Sequence, residues 1–301
     1  MSARRIIKHT FDEIFSPVLY ETPPPLLYHY TDQNGLLGII KKNEIWATHH
    51  QCLNDTQEFL HAKGLIRGEI DRLCESANSD IRSLLEAMRT TLDGKGNEDV
   101  NLYIASFSED GDSLPQWRAY GGQTAGFALG FWGGRLVLPE RFRMRRCIYN
   151  PEKQSEVVQH IVTAVVERTL NLMPAVGTSN ARLTAGMGLC LELHRFALIF
   201  KHKKFEEEKE WRVVSPVLMD LKPAYQVEEK INLDFRQGKS MLIPYQRVPL
   251  KDAKNSFPLH EVVVGPNPNP EQSLRSVRSL LNSQGLVAAK VRSSEIPYRN
   301  W

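Results

Sequence analysis

Ten consecutive residues, Phe205-Glu206-Glu207-Glu208-Lys209-Glu210-Trp211-Arg212-Val213-Val214, put four carboxylates beside two cations at the start of an apolar run. Carboxylates this close repel. Along a strand, a spacing of two sets Glu208 and Glu210 on one face, a wall suited to a cation or an electron-poor centre. The same run also reads as an acidic turn left in solvent, because runs of like charge are commonly hydrated. Arg118 and Arg212 each follow a tryptophan. A guanidinium so placed can grip a pyrophosphate through two parallel N–H donors, or neutralise the acidic cluster as an ion pair. Trp117, Tyr120 and Trp211 supply core bulk or an aromatic face for a flat ligand. His49-His50-Gln51-Cys52, with His61 downstream, offers metal-ligand types at a spacing that fits no common zinc pattern, so no metal is expected. Neither Gly-x-Ser-x-Gly nor His-Glu-x-x-His occurs.

Positioning these groups requires a sizeable core, and 301 residues with 42% hydrophobic content can supply one. The net charge of +3 is too mild to mark a nucleic-acid binder, although Arg141, Arg143, Arg145 and Arg146 form a local basic run. Cys52, Cys74, Cys147 and Cys190 are scattered without a Cys-x-x-Cys pair, which fits a reducing, cytoplasmic setting. No window approaches the roughly 20 apolar residues that span a bilayer, so no membrane is expected.

Residues 1–25 read as an N-terminal extension closed by Pro23-Pro24-Pro25, followed by a single α+β domain over 26–301. Leu26 to Tyr30 reads as a buried strand, Thr31-Asp32 caps a short helix, and Glu44 to Thr48 reads as a second strand. Asn54-Asp55-Thr56 starts a helix, with capping the main role of Asn54 and Asp55, and another helix covers Ile81 to Leu92. Leu102 to Ser108 and Ala125 to Phe131 are strand-like. An inserted helical pair at about 152–201 carries the stripe Val157, Val158, Ile161, Val162, Val165 and the later Leu189, Leu193, Phe196, turning at Pro174 and Gly177. Strands near Glu210 to Val214, Met241 to Val248, Glu261 to Val264 and Leu286 to Arg292, with a helix from Glu271 to Asn282, complete the reading. Irregularly interleaved strands and helices argue α+β. Rossmann and P-loop fingerprints are missing.

In order, Leu27-Tyr28-His29-Tyr30-Thr31, Leu53-Asn54-Asp55, Ala105 to Ser108, Gln116 to Tyr120, Gly126 to Phe131, Glu208 to Arg212, Val263 to Pro266 and Ser294 to Arg299 resemble the domain-of-unknown-function family 2971 from about Leu26 onward. The chain also bears a distant resemblance to ADP-ribosyltransferases, which implies a split mixed or antiparallel β core with helices packed around it and NAD as co-substrate. Ser106-Phe107-Ser108 is similar to the Ser-x-Ser element of the arginine-modifying class, and Glu208-Lys209-Glu210 to its Glu-x-Glu. Under that resemblance Glu210 stabilises the oxocarbenium character that develops as the nicotinamide bond breaks, and Glu208 orients or deprotonates the acceptor. His29, Tyr30, Ser106, Ser108, Trp117, Arg118, Tyr120 and Arg212 then line the NAD site. The arginine-modifying class carries arginine where this chain has His29; the histidine is similar to that of the His-Tyr-Glu class, with Tyr120 or Trp117 supplying the aromatic face. A strand histidine can equally bury against a backbone carbonyl.

Two functions follow. One is an NAD-consuming transferase or glycohydrolase, a toxin or phage-defence effector, with a nucleic-acid or protein acceptor met by Lys201-His202-Lys203-Lys204-Phe205 and a possible partner or immunity protein. The other is a noncatalytic nucleotide- or nucleic-acid-binding module on a degenerate transferase-like fold. The enzyme reading expects His29, Ser106 and Glu210 to converge on one cleft.

Overall fold

The computed structural model describes residues 21–53, 57–94, 100–120, 126–139, 142–215, 218–219, 233–238 and 240–298. Asn54, Asp55, Ala125 and Arg141 lie outside them, as does most of the N-terminal extension.

Strands β1 (Leu26–Thr31), β2 (Glu44–His49), β4 (Tyr103–Ser108), β5 (Phe127–Trp132), β6 (Arg143–Arg146), β7 (Glu210–Val214), β9 (Leu233–Gln237), β10 (Leu242–Pro249), β11 (Leu259–Val264) and β12 (Lys290–Ser293) form one open sheet. Its order is β12-β11-β5-β1-β4-β2-β10-β9, with β7 joined to β4 and β6 joined to β7. All pairs are antiparallel except β11 with β12. Short β3 (Val100–Asn101) and β8 (Leu218–Met219) pair separately. The architecture is therefore α+β with a mixed, mainly antiparallel sheet.

The sheet forks at β4. β7 follows one side of it from Ile104 to Ser108, while the opposite side takes β2 at Tyr103 and Ile104 and β1 only at Ser108. The gap leaves the Ser106 carbonyl without a strand neighbour, and the His29 ring fills it: Nδ1–H donates to Ser106 O at 2.8 Å.

Helices lie on both faces. Asp32 caps α1 (Gln33–Lys42) by accepting from the Gly35 N–H at 2.8 Å, and Asn43 ends it in the left-handed region at φ 52°. α1 and α7 (Pro270–Ser283) cover one face, packing Leu36, Ile40, Val277 and Leu281 on Phe107, Leu129, Phe131 and Val262. Toward the other face lie α2 (Gln57–Ser76), α3 (Ser79–Asp93), α5 (Pro151–Val176) and α6 (Thr178–Ala197), which share a core through Ile66, Ile70, Leu84, Leu85, Met88, Ile161, Val162 and Leu189. The expected helical pair is α5 and α6, and it joins α2 and α3 in one four-helix layer. Its break falls at Gly177, φ 77°, rather than at Pro174, which stays within α5. The strand expected from Leu286 is delayed to Lys290, because the chain turns at Gly285, φ 73°. Short α4 (Leu114–Tyr120) packs by β1. Among the described residues no helix is long and apolar enough to cross a membrane.

Candidate functional site

Glu208 and Glu210 do not share a strand face, which corrects the expectation drawn from their spacing. Lys203–Glu208 forms a 3-10 turn, Lys209 takes the left-handed conformation at φ 44° and ψ 49°, and β7 starts only at Glu210. That reversal brings both carboxylates to one cation. Lys201 Nζ donates to Glu208 Oε2 and, at 2.8 Å, to Glu210 Oε2.

Two residues along β7, Arg212 returns to the same carboxylate through Nε to Oε1 at 2.9 Å and through a terminal nitrogen to Oε2 at 3.1 Å. Its terminal nitrogens also reach Glu58, near the start of α2, at 2.6 and 3.0 Å, and donate to the Leu198 carbonyl. Cys147 Sγ lies 3.7 Å from Glu210 Oε2, and the Glu210 N–H donates to the Tyr149 hydroxyl at 2.8 Å. Glu58, Lys201, Glu210 and Arg212 are all buried, whereas the Glu208 side chain keeps 26% of its exposure. Glu208 thus forms the mouth of a closed charge cluster. Phe205 stands there too, its ring 5.2 Å from Lys201 Nζ.

Three carboxylates face two cations, so their charges cannot all be compensated. Burial opposes ionisation of Glu210, but the Arg212 and then the Lys201 charges override it and hold the carboxyl at about 2. Glu58 has Arg212 as its bonded cation and shares it, so burial wins and pushes this carboxyl up to about 7. Burial, then Glu210, raises the Cys147 thiol well above its ordinary range. Partial burial, then the charges of Glu210 and Glu208, raise the phenol of Tyr120, whose residue keeps 48% of its exposure. Two carboxyls driven apart on either side of their ordinary value of 4.5 are the arrangement that separates a fixed charge from a proton-exchanging group.

The predicted site residues divide by sheet face. Ser108 stands opposite Glu210 and Ser106 opposite Arg212 in the β4–β7 register, so the two serines and the charged pair share one face. Tyr28, opposite Ser108, puts Tyr30 on that face also. His29 does not join them. It pairs with Leu129 and packs on Phe107 with ring centroids 5.6 Å apart, on the α1–α7 side, and burial lowers its pKa. The single cleft expected for His29, Ser106 and Glu210 is therefore not formed, since strand alternation turns His29 away.

Several of the remaining side chains serve as fasteners. Ser108 Oγ donates to the Glu208 carbonyl at 2.8 Å and accepts from the Asp110 N–H at 3.1 Å, tying the two loops at the mouth together. Tyr30 donates to the Asp110 carbonyl and packs edge-on against Trp117, whose Nε1 donates to Asp112. Arg118 is exposed and lies over the Tyr298 ring at 5.5 Å. Glu58 is the residue that sequence reasoning missed. It is separated from Arg212 by 154 positions, and nothing local distinguishes it from other acids on an amphipathic helix.

Residues 116–213 match the family model described as a protein of unknown function, DUF2971. That stretch runs from α4 into β7 and contains Lys201, Glu208, Glu210 and Arg212. No curated protein and no solved structure matches the chain.

Proposed function

We propose that the chain is an NAD-consuming enzyme, an ADP-ribosyltransferase or NAD glycohydrolase, with its reaction at the mouth formed by Glu208. The observation that carries this reading is the registered pairing of the Ser106–Ser108 element with the strand that opens at Glu210, beside a carboxylate still reached by solvent. Glu208 is the group that faces the ribose as the bond to nicotinamide breaks. The ring departs with the bonding electron pair, and water or an acceptor donates a pair to the anomeric carbon and its proton to a carboxylate. Glu210, closed in by Lys201 and Arg212, is a charge anchor that positions Glu208 through their shared lysine. A cytoplasmic effector acting on a nucleic-acid or protein acceptor is the setting proposed with it.

The saturation of both Glu210 oxygens favours a second reading, a noncatalytic nucleotide- or nucleic-acid-binding module in which the cluster is purely structural. Nicotinamide release decides between them. Under the enzyme reading the protein liberates nicotinamide from NAD, with or without cell extract as acceptor source, and Glu208→Gln lowers the rate about 100-fold or more with unchanged circular dichroism. Absence of release under both conditions, or full activity in that variant, overturns the assignment.

A further inference from the structure

We propose that β9 is a homodimerisation edge, across which two copies of this chain pair antiparallel about a twofold axis at Phe235 and merge their sheets. Among the described residues β9 ends the sheet order, with β10 as its neighbour. Among the described residues of the large sheet, the other strands with a free side carry charges of one sign: β6 has Arg143, Arg145 and Arg146, and β12 has Lys290 and Arg292. Such charges deter edge-to-edge pairing. β9 instead carries one charge of each sign, Asp234 and Arg236, between apolar groups. Its register with β10 puts Leu233 and Phe235 on the same face as Leu242 and Pro244, with Phe235 56% and Leu242 68% exposed.

Backbone alternation fixes which groups the edge offers. Gly238 N–H donates to Met241 O, so the bonded pairs with β10 continue through Arg236–Ile243 and Asp234–Tyr245. The N–H and C=O groups of Leu233, Phe235 and Gln237 then point away from β10. Pro244 agrees with this phase, since it stands opposite Phe235, where no N–H is needed toward β9.

Charge selects the register and, with it, the occupant. With Phe235 on the axis, outward groups meet outward groups, and Asp234, one of whose oxygens is held by Arg247 of its own chain, stands opposite Arg236 of the other copy. Sliding by two residues in either direction sets Asp234 against Asp234, or Arg236 against Arg236, which destabilises the pair. The five-residue pattern Leu-Asp-Phe-Arg-Gln is thus electrostatically self-complementary, as a twofold interface requires. One terminal nitrogen of Arg236 holds Thr48 at 3.3 Å, and its Nε is buried without an acceptor among the described residues.

Sedimentation velocity and light scattering over a micromolar dilution series test the proposal. The wild type is expected at twice its 34.4 kDa chain mass. Phe235→Pro removes an outward N–H without touching the β10 ladder, and it should weaken association about 30-fold or more with circular dichroism unchanged. Asp234→Lys and Arg236→Glu should each be monomeric, yet form a dimer when mixed, because each then supplies the charge the other lacks. The mixture decides the matter should Phe235→Pro fail to fold. A monomeric wild type, an undiminished dimer in Phe235→Pro, or a mixture that stays monomeric would overturn the pairing.

Discussion

Replacing Glu58 by glutamine should change the pH dependence of stability in one window and leave it alone elsewhere. The Glu58 carboxyl is raised from 4.5 to about 7 in the folded chain, with burial the leading cause and Arg212 opposing it. A raised group contributes stability that is fully present below the unfolded value and is lost as pH climbs through the folded one. At about 1.4 kcal/mol per pH unit, the wild type forfeits about 3 kcal/mol between pH 4.5 and 7 on account of this single group. Glutamine cannot ionise. It keeps one acceptor for Arg212 and loses the other, which adds a constant offset without slope. Urea unfolding of both proteins at several pH values should therefore show their stability difference moving by about 3 kcal/mol in favour of Glu58→Gln from pH 4.5 to 7, and flat beyond. Two curves that run parallel across this window would refute the uneven sharing of Arg212.

Glu210 gives the opposite sign: its folded value of about 2 lies below 4.5, so its contribution is present above pH 4.5 and disappears as pH falls toward 2. Glu210→Gln should cost about 3–5 kcal/mol at neutral pH by leaving two buried cations short of a counter-charge, and unfolding titrations should also find its acid limb flattened. Asp112→Ala removes the acceptor for Trp117 Nε1 at 2.7 Å, Ser294 Oγ at 2.5 Å and the Glu295 N–H at 2.7 Å; about 2–4 kcal/mol should be lost, with hydrogen exchange accelerated at Glu295 and Ile296. Gly111→Ala brings a Cβ to 2.3 Å from the Tyr28 ring, so the thermal midpoint should fall by the equivalent of about 1–3 kcal/mol, partly regained by adding Tyr28→Leu.

Local patterns made most elements legible. The stripe from Val157 to Val165 predicts α5, the β-rich run from Leu102 to Ser108 predicts β4, and Asp32 marks the start of α1 as its cap. The candidate site was legible only in part, because its geometry depends on pairings that no local pattern encodes. Charge spacing shows Glu208 and Glu210 as a crowded pair, but not the turn at Lys209, which takes them off a shared strand face and brings both to Lys201. Lys201 reads as part of a basic loop, although it is the buried cation between the two carboxylates. His29 shows the same limit from the other side: its order along the chain suggested a shared cleft, whereas the parity of its strand position sends it to the opposite face.

The bonds between β4 and the start of β7 close a stretch of about 100 residues, with α5 and α6 inside it. During synthesis at about 5–20 residues per second, roughly 5–20 seconds separate the emergence of β4 from that of its partner strand. Through that interval the backbone N–H and C=O groups on the β7 side of β4 have no partner strand, while the helices form early from local contacts. Production of the folded chain should therefore depend on chaperone capacity at the ribosome, and a ribosome stalled just before Glu210 should present Tyr103–Ser108 as the holdase-binding segment.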